Sequence, residues 1–490
     1  MIKKSLIFFL LLFVFGFTPN NKYNKISQKV KFYSESKLLI NSTWALYAKY
    51  ADNNEVIISL NPNMSVAPAS GLKVFTSSFA LDVLGSDYKF ETKLFYDGEI
   101  ANGILNGNIY IVGGGDPTLG SSLVKGSLSM DELFTKWKTK ITEKGITKIN
   151  GNIIADDLMF DEKSLPDQWN WIDIGNYYGA SSPALTINDN LYYLFFETGE
   201  KVGDSTKLLR TEPEMPNVTF ENHILTGKKF SGDNGYVYLA PNSKKAILSG
   251  TLPAGEKEFS IKGSIPDPTL FAAQAFAKFL MVNNVEVNVK SLKTKSKIKY
   301  DSTKLIDLHK SPELKDIVYI VNKRSNNLYT ELLLKNVAYK KTGLGSTDNG
   351  IEILEDFLNG NGINTDALIL YDGCGLSRED AISAKMMVDL LSVNMNKKYF
   401  ADFYNSLGIV GDPDDISFYK SLGVGTALEK NARMKSGSIV GVRSYSGYLK
   451  DKSGRTIVFS MIANNYKGSG SDVSKIHLEL MKELANLKSK

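Results

Sequence analysis

The chain has 490 residues, of which 43% are hydrophobic and 23% charged, the proportions of a folded globular protein. Its length favours roughly three domains over a single core. A net charge of +5 is small for this length, and the sequence has no basic stripe interleaved with aromatic residues, so nucleic-acid binding is not expected.

The first residues have the pattern of an export signal. Lys3 and Lys4 provide a positive start, and residues 6–17 are almost all apolar. That run is too short to cross a bilayer comfortably, so we interpret residues 1–20 as a signal peptide, with an uncleaved anchor as the alternative. The sequence therefore predicts a periplasmic protein and leaves peripheral membrane contact open. The one cysteine, Cys374, can form no disulfide within the chain and is interpreted as a small, semi-buried residue.

Hydrophobic patterns predict the elements of the first half of the chain. In chain order they are a helix at 25–37, strands at 43–50 and 55–60, and a helix that Pro68-Ala69-Ser70 opens and that continues to residue 84. Residues 133–153 and 270–289 resemble each other, because each has a helix pattern followed by a strand pattern. We expect these two segments to share a domain, and the material between them, 161–261, to be an insertion rich in short strands such as 191–196 and 236–239.

The second half predicts helices and then a closing sheet. Helical patterns run from 312 to 334, at 351–358 and at 384–393, and strands follow at 442–450 and 456–464, before a helix at 472–487. Strands at both chain ends predict one sheet that the C-terminus completes. The middle of the chain then becomes an insertion, and the fold class is α/β, an antiparallel sheet flanked by helices.

The small number of histidines limits the kinds of catalytic and metal site that the chain can form. Only His223, His309 and His477 are present, and none has a metal-like spacing. A Ser-His-Asp triad or a zinc site is therefore not expected, and we predict neither a metal nor a cofactor.

A serine enzyme without a histidine base needs another base, and lysine is the usual substitute. Ser70 and Lys73 lie three residues apart at the start of a predicted helix, so Lys73 can reach the Ser70 hydroxyl. The helix N-terminus favours negative charge developing on Ser70. Lys73 accepts a proton only if burial or a nearby cation lowers its pKa. Other pairs share the S-x-x-K spacing but lack a preceding hairpin and a following apolar helix, among them Ser34 with Lys37, Ser122 with Lys125, Ser296 with Lys299, and Ser417 with Lys420.

A second polar pattern is Ser325-Asn326-Asn327. The Ser325 hydroxyl can pass a proton between Lys73 and a leaving amine, and Asn327 can bind a substrate amide. The alternative is a plain helix N-cap, since Ser and Asn favour helix starts.

The third pattern is the run Lys435, Ser436, Gly437 and Ser438. A strand edge with a glycine lets a peptide lie alongside as an added strand. The Ser438 N–H, with that of Ser70, would form an oxyanion hole, and Lys435 would bind a carboxylate and lower the pKa of Lys73. Two further runs, beginning at Lys341 and Lys452, share the K-[ST]-G spacing but are predicted to lie in a polar loop and a hairpin turn.

The order S-x-x-K, S-x-N, K-[ST]-G is the signature of penicillin-binding enzymes and serine β-lactamases. With it, the chain resembles the class C low-molecular-mass penicillin-binding proteins, the D-Ala-D-Ala carboxypeptidase/endopeptidases of the penicillin-binding protein 4 type. The resemblance extends over nearly the whole mature chain and includes LDVLGSDYKFET, GGGDPTL, INGNIIADDLMF, LTINDN, DGCGLSR and VGVRSYSGYL.

The resemblance implies an exported serine peptidase that acts on peptidoglycan stem peptides through an acyl-enzyme on Ser70, with β-lactams as covalent inhibitors. It assigns catalytic roles to Ser70, Lys73, Ser325, Asn327 and Lys435. It also places Asp156 and Arg378 where family members contact the distal end of the stem peptide, with a structural role as the alternative. Asn326, Ser436 and Cys374 stand where relatives often have Asp, Thr and Ser.

The resemblance also divides the chain. It implies a penicillin-binding, serine β-lactamase-like domain at 21–92 and 301–490, a first inserted α/β domain at 93–160 and 262–300, and a second, mostly β, insert at 161–261. Two other functions stay open. A serine β-lactamase would use the same chemistry but lacks such insertions, and a catalytically inactive peptidoglycan-binding scaffold would not need the three motifs.

Overall fold

The computed structural model describes residues 23–287 and 290–488, so the signal peptide predicted at 1–20 lies outside the described residues. The described helices are α1 (Asn24–Ser34), α2 (Lys73–Leu84), α3 (Met130–Glu143), α4 (Pro268–Val282), α5 (Leu314–Arg324), α6 (Asn327–Thr342), α7 (Thr347–Gly360), α8 (Ala384–Asn394), α9 (Phe400–Ser406) and α10 (Gly470–Ala485).

The strands of the same residues vary in length, and the two longest lie near the C-terminus. They are β1 (Thr43–Tyr50), β2 (Val56–Leu60), β3 (Glu91–Tyr96), β4 (Glu99–Ala101), β5 (Ile104–Asn106), β6 (Ile109–Val112), β7 (Lys148–Ile149), β8 (Ile153–Asp156), β9 (Leu191–Glu197), β10 (Lys207–Glu212), β11 (Thr219–Asn222), β12 (Leu225–Thr226), β13 (Asn234–Tyr238), β14 (Lys245–Leu252), β15 (Phe259–Ser264), β16 (Glu286–Val287), β17 (Ser291–Lys293), β18 (Leu305–Lys310), β19 (Gly408–Ile409), β20 (Arg433–Ile439), β21 (Val442–Lys450) and β22 (Thr456–Asn464).

The chain ends meet in one six-stranded antiparallel sheet, in the order β19-β20-β21-β22-β1-β2. Its centre is almost fully buried, and in β22 every residue after Thr456 is buried. Helices cover both faces, α8 on one side and α10 with α1 on the other, which explains why β1 and β22 are nearly continuous apolar runs. The α/β fold class and the closing of the sheet by the C-terminal strands are confirmed.

Helix α2 lies at the centre of the helical part of this domain. It contacts α5, α6 and α7, and its residues from Lys73 to Leu81 are buried on all sides. A helix that is apolar all round is stable only when it is enclosed in this way. Its polar side chains find partners inside, as when the Thr76 hydroxyl donates to the Gly373 carbonyl at 2.6 Å.

The helical pattern predicted from 312 to 334 is two helices in the structure. Helix α5 ends at Ser325, whose φ of 57° is left-handed. Asn326 then caps α6, because its side chain accepts a hydrogen bond from the Tyr329 N–H. The helix start therefore belongs to Asn326, and the Ser325 side chain is available for other contacts.

The middle of the chain forms further sheets. One has the order β17-β8-β6-β3-β18 and another β16-β7-β5-β4, with α3 and α4 packed through Phe134, Trp137 and Phe276. The two halves of the internal repeat pair side by side in parallel, β16 on β7 and β17 on β8. The strands from β9 to β15 form a three-stranded and a four-stranded sheet.

The predicted domain borders stay predictions. Strand β3 spans the border predicted at 92/93 and pairs with β18, through which the chain leaves this region. Among residues 23–287 and 290–488, no helix is both long enough and apolar enough to cross a membrane.

Candidate active site

Ser70 lies in a tight turn that leads directly into α2. The turn, Ala69–Leu72, is a 3₁₀ helix, and Ala69 has a left-handed φ of 46°. A non-glycine residue adopts this conformation only when its surroundings hold it there. Gly375 provides part of that support, since a Cβ at this position would lie 1.9 Å from the Ala69 carbonyl oxygen. The half-buried Ser70 is thereby fixed at the helix start.

Lys73 lies one turn after Ser70 and is fully buried. Its Nζ is 3.0 Å from Ser70 Oγ, 2.6 Å from Asn327 Oδ1 and 2.7 Å from the Cys374 carbonyl oxygen. Burial lowers the pKa of Lys73, and the nearby Cys374, Asp372, Glu331 and Asp380 oppose that shift. When Lys73 is neutral, two of its N–H bonds can stay with the amide and carbonyl oxygens, which only accept. Its lone pair then faces the Ser70 hydroxyl.

The Ser-x-Asn pattern contributes two side chains with different partners. Ser325 Oγ accepts a hydrogen bond from Lys435 Nζ at 2.9 Å. Asn327, in the first turn of α6, donates from Nδ2 to the Tyr178 carbonyl oxygen at 2.8 Å, which orients its Oδ1 towards Lys73. A main-chain carbonyl of the region between the two repeat halves therefore orients this amide.

Lys435 lies on β20 and is almost completely buried. Besides Ser325, its Nζ donates to the Ser436 carbonyl oxygen at 2.8 Å. Burial, followed by the charge of Lys73, holds the pKa of Lys435 well below its usual range. Ser436 Oγ accepts from the Tyr419 hydroxyl at 2.7 Å. Lys435, Ser325, Ser436 and Tyr419 therefore form one polar cluster, close enough to Lys73 for the two charges to interact.

Strand β20 offers this cluster an open edge. Its outer neighbour β19 pairs only with Arg433 and Met434, so within the described residues the edge from Lys435 onward has no strand partner on that side. Gly437 is required by close approach, because a Cβ there would lie 2.1 Å from the Pro68 carbonyl oxygen. Ser438 is exposed just beyond. The oxyanion hole of Ser70 and Ser438 amides stays a prediction.

Asp156 and Arg378 have contacts of other kinds. Asp156 ends β8, is buried, and accepts from the Tyr300 hydroxyl at 2.5 Å and from the Leu158 N–H at 2.9 Å. It lines a cavity of about 600 Å³ whose lining includes none of the five predicted catalytic residues. Arg378 is exposed and donates to the Val440 carbonyl oxygen at 3.2 Å, in the turn that follows β20. Its charge also acts on Asp173, whose carboxyl has a pKa that burial raises and Arg378 lowers.

Sequence reasoning missed the residues that support the cluster. The Asp372 carboxylate accepts the N–H groups of residues 374–377 and the indole N–H of Trp169. Glu331 accepts the Gly373 N–H at 2.8 Å. The D-G-x-G spacing of residues 372–375 is a turn signal that marks Asp372. No local pattern indicates that Trp169 and Tyr178 reach the site.

The runs that share the motif spacings lie elsewhere. Lys341 is exposed in the last turn of α6, and Lys452 is exposed in the turn between β21 and β22. The Ser417 hydroxyl is buried and donates to Asp415. Of the spacings found in the sequence, those of Ser70, Ser325 and Lys435 are the ones that the fold brings into contact.

Known proteins with similar sequences and folds cover most of this chain. A D-alanyl-D-alanine carboxypeptidase of Actinomadura sp. is 28% identical over 424 residues, covering 84% of this chain and 76% of the relative. The D-alanyl-D-alanine carboxypeptidase DacB of Haemophilus influenzae is 25% identical, covering 88% of this chain and 87% of the relative.

The solved structures show a similar arrangement of the backbone. The crystal structure of penicillin-binding protein 4 (dacB) from H. influenzae matches with a TM-score of 0.79 at 23% identity, covering 94% of this chain and 99% of that one. Its complex with a β-lactam matches with a TM-score of 0.74, at the same identity and coverage. The sequence profile of one family matches residues 26–487, and the chain therefore belongs to the D-Ala-D-Ala carboxypeptidase 3 (S13) family.

Proposed function

We propose that this protein is a serine D-Ala-D-Ala carboxypeptidase that removes the terminal D-Ala of peptidoglycan stem peptides. The observation that carries the proposal is the position of Lys73, whose buried Nζ lies 3.0 Å from the Ser70 hydroxyl. The family membership and the carboxypeptidase relatives support the same activity.

The proposed acylation begins with a proton transfer. Neutral Lys73 takes the proton of Ser70 as Ser70 Oγ bonds to the carbonyl carbon of the penultimate D-Ala. The amide C–N bond then breaks as the Ser325 hydroxyl gives its proton to the leaving nitrogen and receives in exchange the proton that Lys73 accepted, so that Lys73 and Ser325 both return to their neutral forms. Terminal D-Ala departs and leaves an ester on Ser70. Water hydrolyses that ester, which frees the shortened peptide and restores the Ser70 hydroxyl.

Strand β20 is the proposed substrate platform. A stem peptide added along its open edge would pair with the main chain of residues 436–438, the mode of binding in which backbone hydrogen bonds supply affinity. Its C-terminal carboxylate would then meet Lys435, with Ser436 and Tyr419 beside it. The amides of Ser70 and Ser438 are the proposed oxyanion hole.

β-Lactams are the proposed covalent inhibitors. Their strained amide presents the same carbonyl to Ser70, and the H. influenzae relative has been crystallised with one. A serine β-lactamase would turn ampicillin over, and an inactive scaffold would not become labelled by fluorescent penicillin at all. We expect stable labelling without turnover.

The test of the activity is digestion of purified muropeptides, with the products identified by mass. Release of D-Ala from pentapeptides supports the carboxypeptidase, and cleavage of crosslinked dimers would add an endopeptidase activity. Intact pentapeptides after prolonged incubation with unlabelled, folded protein, of which a separate sample reacts with fluorescent penicillin, would contradict the proposal.

Asp156 and Arg378 are proposed to contact the distal part of the stem peptide. If they do, Asp156→Ala impairs peptide hydrolysis and leaves β-lactam acylation nearly unchanged, because a β-lactam does not reach that far. The measurement is the pair of rates on one protein preparation. Equal loss of both rates indicates a folding role through Tyr300. The same pair of rates should be measured for Asp173→Ala, because the charge of Arg378 acts on the Asp173 carboxyl.

The proposed location is the periplasm, after export by residues 1–20. The signal pattern and the cell-wall substrate support this, and peripheral membrane contact stays open. N-terminal sequencing of protein from cells tests it. A start within roughly ten residues after Phe17 fits removal of a signal peptide, whereas cytoplasmic protein that begins at Met1 would contradict it.

A further inference from the structure

Two acidic side chains lie side by side in the protein interior, beneath the loop that holds Lys73. The carboxyl oxygens of Glu331 and Asp372 and the thiol sulfur of Cys374 lie within 4.8 Å of one another. All three residues are fully buried. Two negative charges so close together, and without solvent, repel strongly. One of the two carboxyls must therefore hold a proton.

The hydrogen bonds indicate which carboxyl is charged. Asp372 Oδ1 accepts the N–H groups of Cys374 and Gly375, and its Oδ2 accepts those of Leu376, Ser377 and the Trp169 indole, all at 2.6–3.0 Å. Five donors surround these two oxygens. An ionised carboxylate is the form that accepts on every lone pair, so Asp372 is the anion.

Glu331 has the opposite environment. Its Oε1 accepts one bond, from the Gly373 N–H at 2.8 Å, and its Oε2 has no hydrogen-bond partner among the described residues. The Cys374 thiol is the polar group beside it. A metal ion bound here would need the Asp372 oxygens as ligands, but those oxygens already accept hydrogen bonds from backbone N–H groups. A proton is therefore the better way to reduce the charge of the Glu331–Asp372 pair.

We propose that Glu331 is a positioning residue that works in its protonated, neutral form. As a neutral acid it holds the Gly373 N–H, and with it the adjoining Cys374 carbonyl that accepts a hydrogen bond from Lys73, without placing a second negative charge near that lysine. This inference rests on the proposed function, because it concerns how Lys73 becomes the base for Ser70.

The electrostatics of the surroundings agree with this proposal. Burial, with the charge of Asp372, raises the pKa of Glu331 to about 8, and Lys335 one turn along the same helix lowers it. The other ionisable groups that face this pocket are Lys73, Cys374 and Asp380, and burial and Asp372 raise the pKa of the Asp380 carboxyl well above its usual range. An ionised Glu331 would raise the pKa of Lys73 and make it a poorer proton acceptor at the pH of the reaction.

The test compares Glu331→Gln with Glu331→Ala. Glutamine copies the neutral acid, so E331Q should acylate with penicillin at pH 7 within roughly threefold of the native rate. Alanine removes the hydrogen bond to Gly373 and should reduce the rate by on the order of a hundredfold. Asp372→Asn should also be severely impaired, because an amide nitrogen cannot accept the donors that Asp372 accepts. The surface variant Glu352→Gln is the matched control for a charge lost elsewhere.

The pH profile separates positioning from plain structure. Above pH 8 the acylation rate of the native protein should decline as Glu331 ionises. In E331Q this decline should begin at a pH higher by about one unit. A hundredfold loss in E331Q at pH 7, or identical profiles in the two proteins, would overturn the proposal.

A second readout does not depend on activity. A group with a raised pKa stabilises the folded state at low pH, and that stability is lost as the pH rises through the folded pKa. The native melting temperature should therefore fall relative to that of E331Q between pH 4.5 and about 8. Parallel melting curves would contradict a buried proton on Glu331. A protein that shows the melting difference but never reacts with penicillin would instead contradict the proposed function.

Discussion

Lys73 directs its hydrogen bonds to three groups from three separate parts of the chain: the turn before α2, the first turn of α6, and the loop that contains Cys374. Two of these groups only accept, so they fix the orientation of the amine whatever its charge. The position left for exchange of a proton faces Ser70. This arrangement gives the amine of Lys73, the proposed base, one defined direction.

Ser70→Ala should abolish covalent labelling by penicillin while the fold survives. Lys73→Ala should block labelling as well, despite an intact hydroxyl, because the proton of Ser70 then has no acceptor. The measurement is mass spectrometry of the labelled peptide. Alanine at Ser34, Ser122, Ser296 or Ser417 provides matched controls that should label normally. An adduct on any peptide that lacks Ser70 would refute the assignment.

Lys435→Ala should reduce the catalytic efficiency by on the order of a hundredfold or more, since it removes the proposed partner of the substrate carboxylate and the hydrogen bond to Ser325. Lys341→Ala and Lys452→Ala remove exposed lysines from runs of the same spacing and should be near neutral. Steady-state kinetics on a D-Ala-D-Ala peptide compares the three. Damage from Lys341→Ala equal to that from Lys435→Ala would contradict this position of the site.

At the scale of elements, the sequence predicts best where burial is strongest. The bounds of β1, β21 and β22 agree with the predicted strands. In β1 and β22 a long apolar run leaves little choice of start and end, and the turns at Gly441 and 451–454 delimit β21. The break at Ser325 was predicted only through the alternative of a helix N-cap at residues 325–327, because helical patterns continue on both sides and neither Gly nor Pro marks it. The three motifs were found because each has a fixed local spacing. Trp169 and Tyr178 reach the site only through tertiary contacts, which no local pattern encodes.

The segment around Trp169 connects the middle of the chain to the site through one indole hydrogen bond to Asp372. Trp169→Phe keeps an aromatic ring but removes that donor and part of the buried volume, and loss of the hydrogen bond to a charged group alone should cost about 1.5–3 kcal/mol of stability. We also expect slower penicillin acylation, because the loop that carries the Cys374 carbonyl becomes less well held. Thermal unfolding and the labelling rate measure the two effects.

Trp171→Phe is the control for Trp169→Phe, since Trp171 lies in the same segment and is half exposed. It should change neither stability nor labelling appreciably. Equal effects of the two substitutions would mean that the segment acts by packing alone.

For the molecule as a whole, a buried histidine joins the two ends of the chain. The Trp44 indole of β1 donates to His477 Nε2 of α10 at 3.0 Å. Burial lowers the pKa of His477 to about 3. Between these two pKa values, about 3 in the folded protein and about 6.5 in the unfolded chain, His477 binds a proton only when the chain is unfolded. Folding stability is then lost as the pH falls from 6.5 towards 3, by about 1.4 kcal/mol per pH unit for this one group.

His477→Gln keeps an acceptor for Trp44 and cannot titrate, so this variant should lose less stability on acidification than the native protein. Chemical denaturation at pH 7 and pH 5 measures the difference. His223→Gln changes an exposed histidine and should follow the native pH dependence. If His477→Gln also follows it, the buried imidazole is not the source of the acid sensitivity.

The pairing of β1 with β22 places Thr43 opposite Asn464. Strand β1, an inner strand of the six-stranded sheet, therefore waits for release of nearly the whole chain before it gains its second neighbour. A ribosome or a secretion pore that releases the chain from its N-terminus delivers Ser70 long before the strand that carries Lys435. Such long-range pairing is slow, and it leaves apolar strands exposed to aggregation in the interval. Until the last strand is released, the sheet cannot close and the chain can still pass through a pore. The peptidase can become active only after this strand is available.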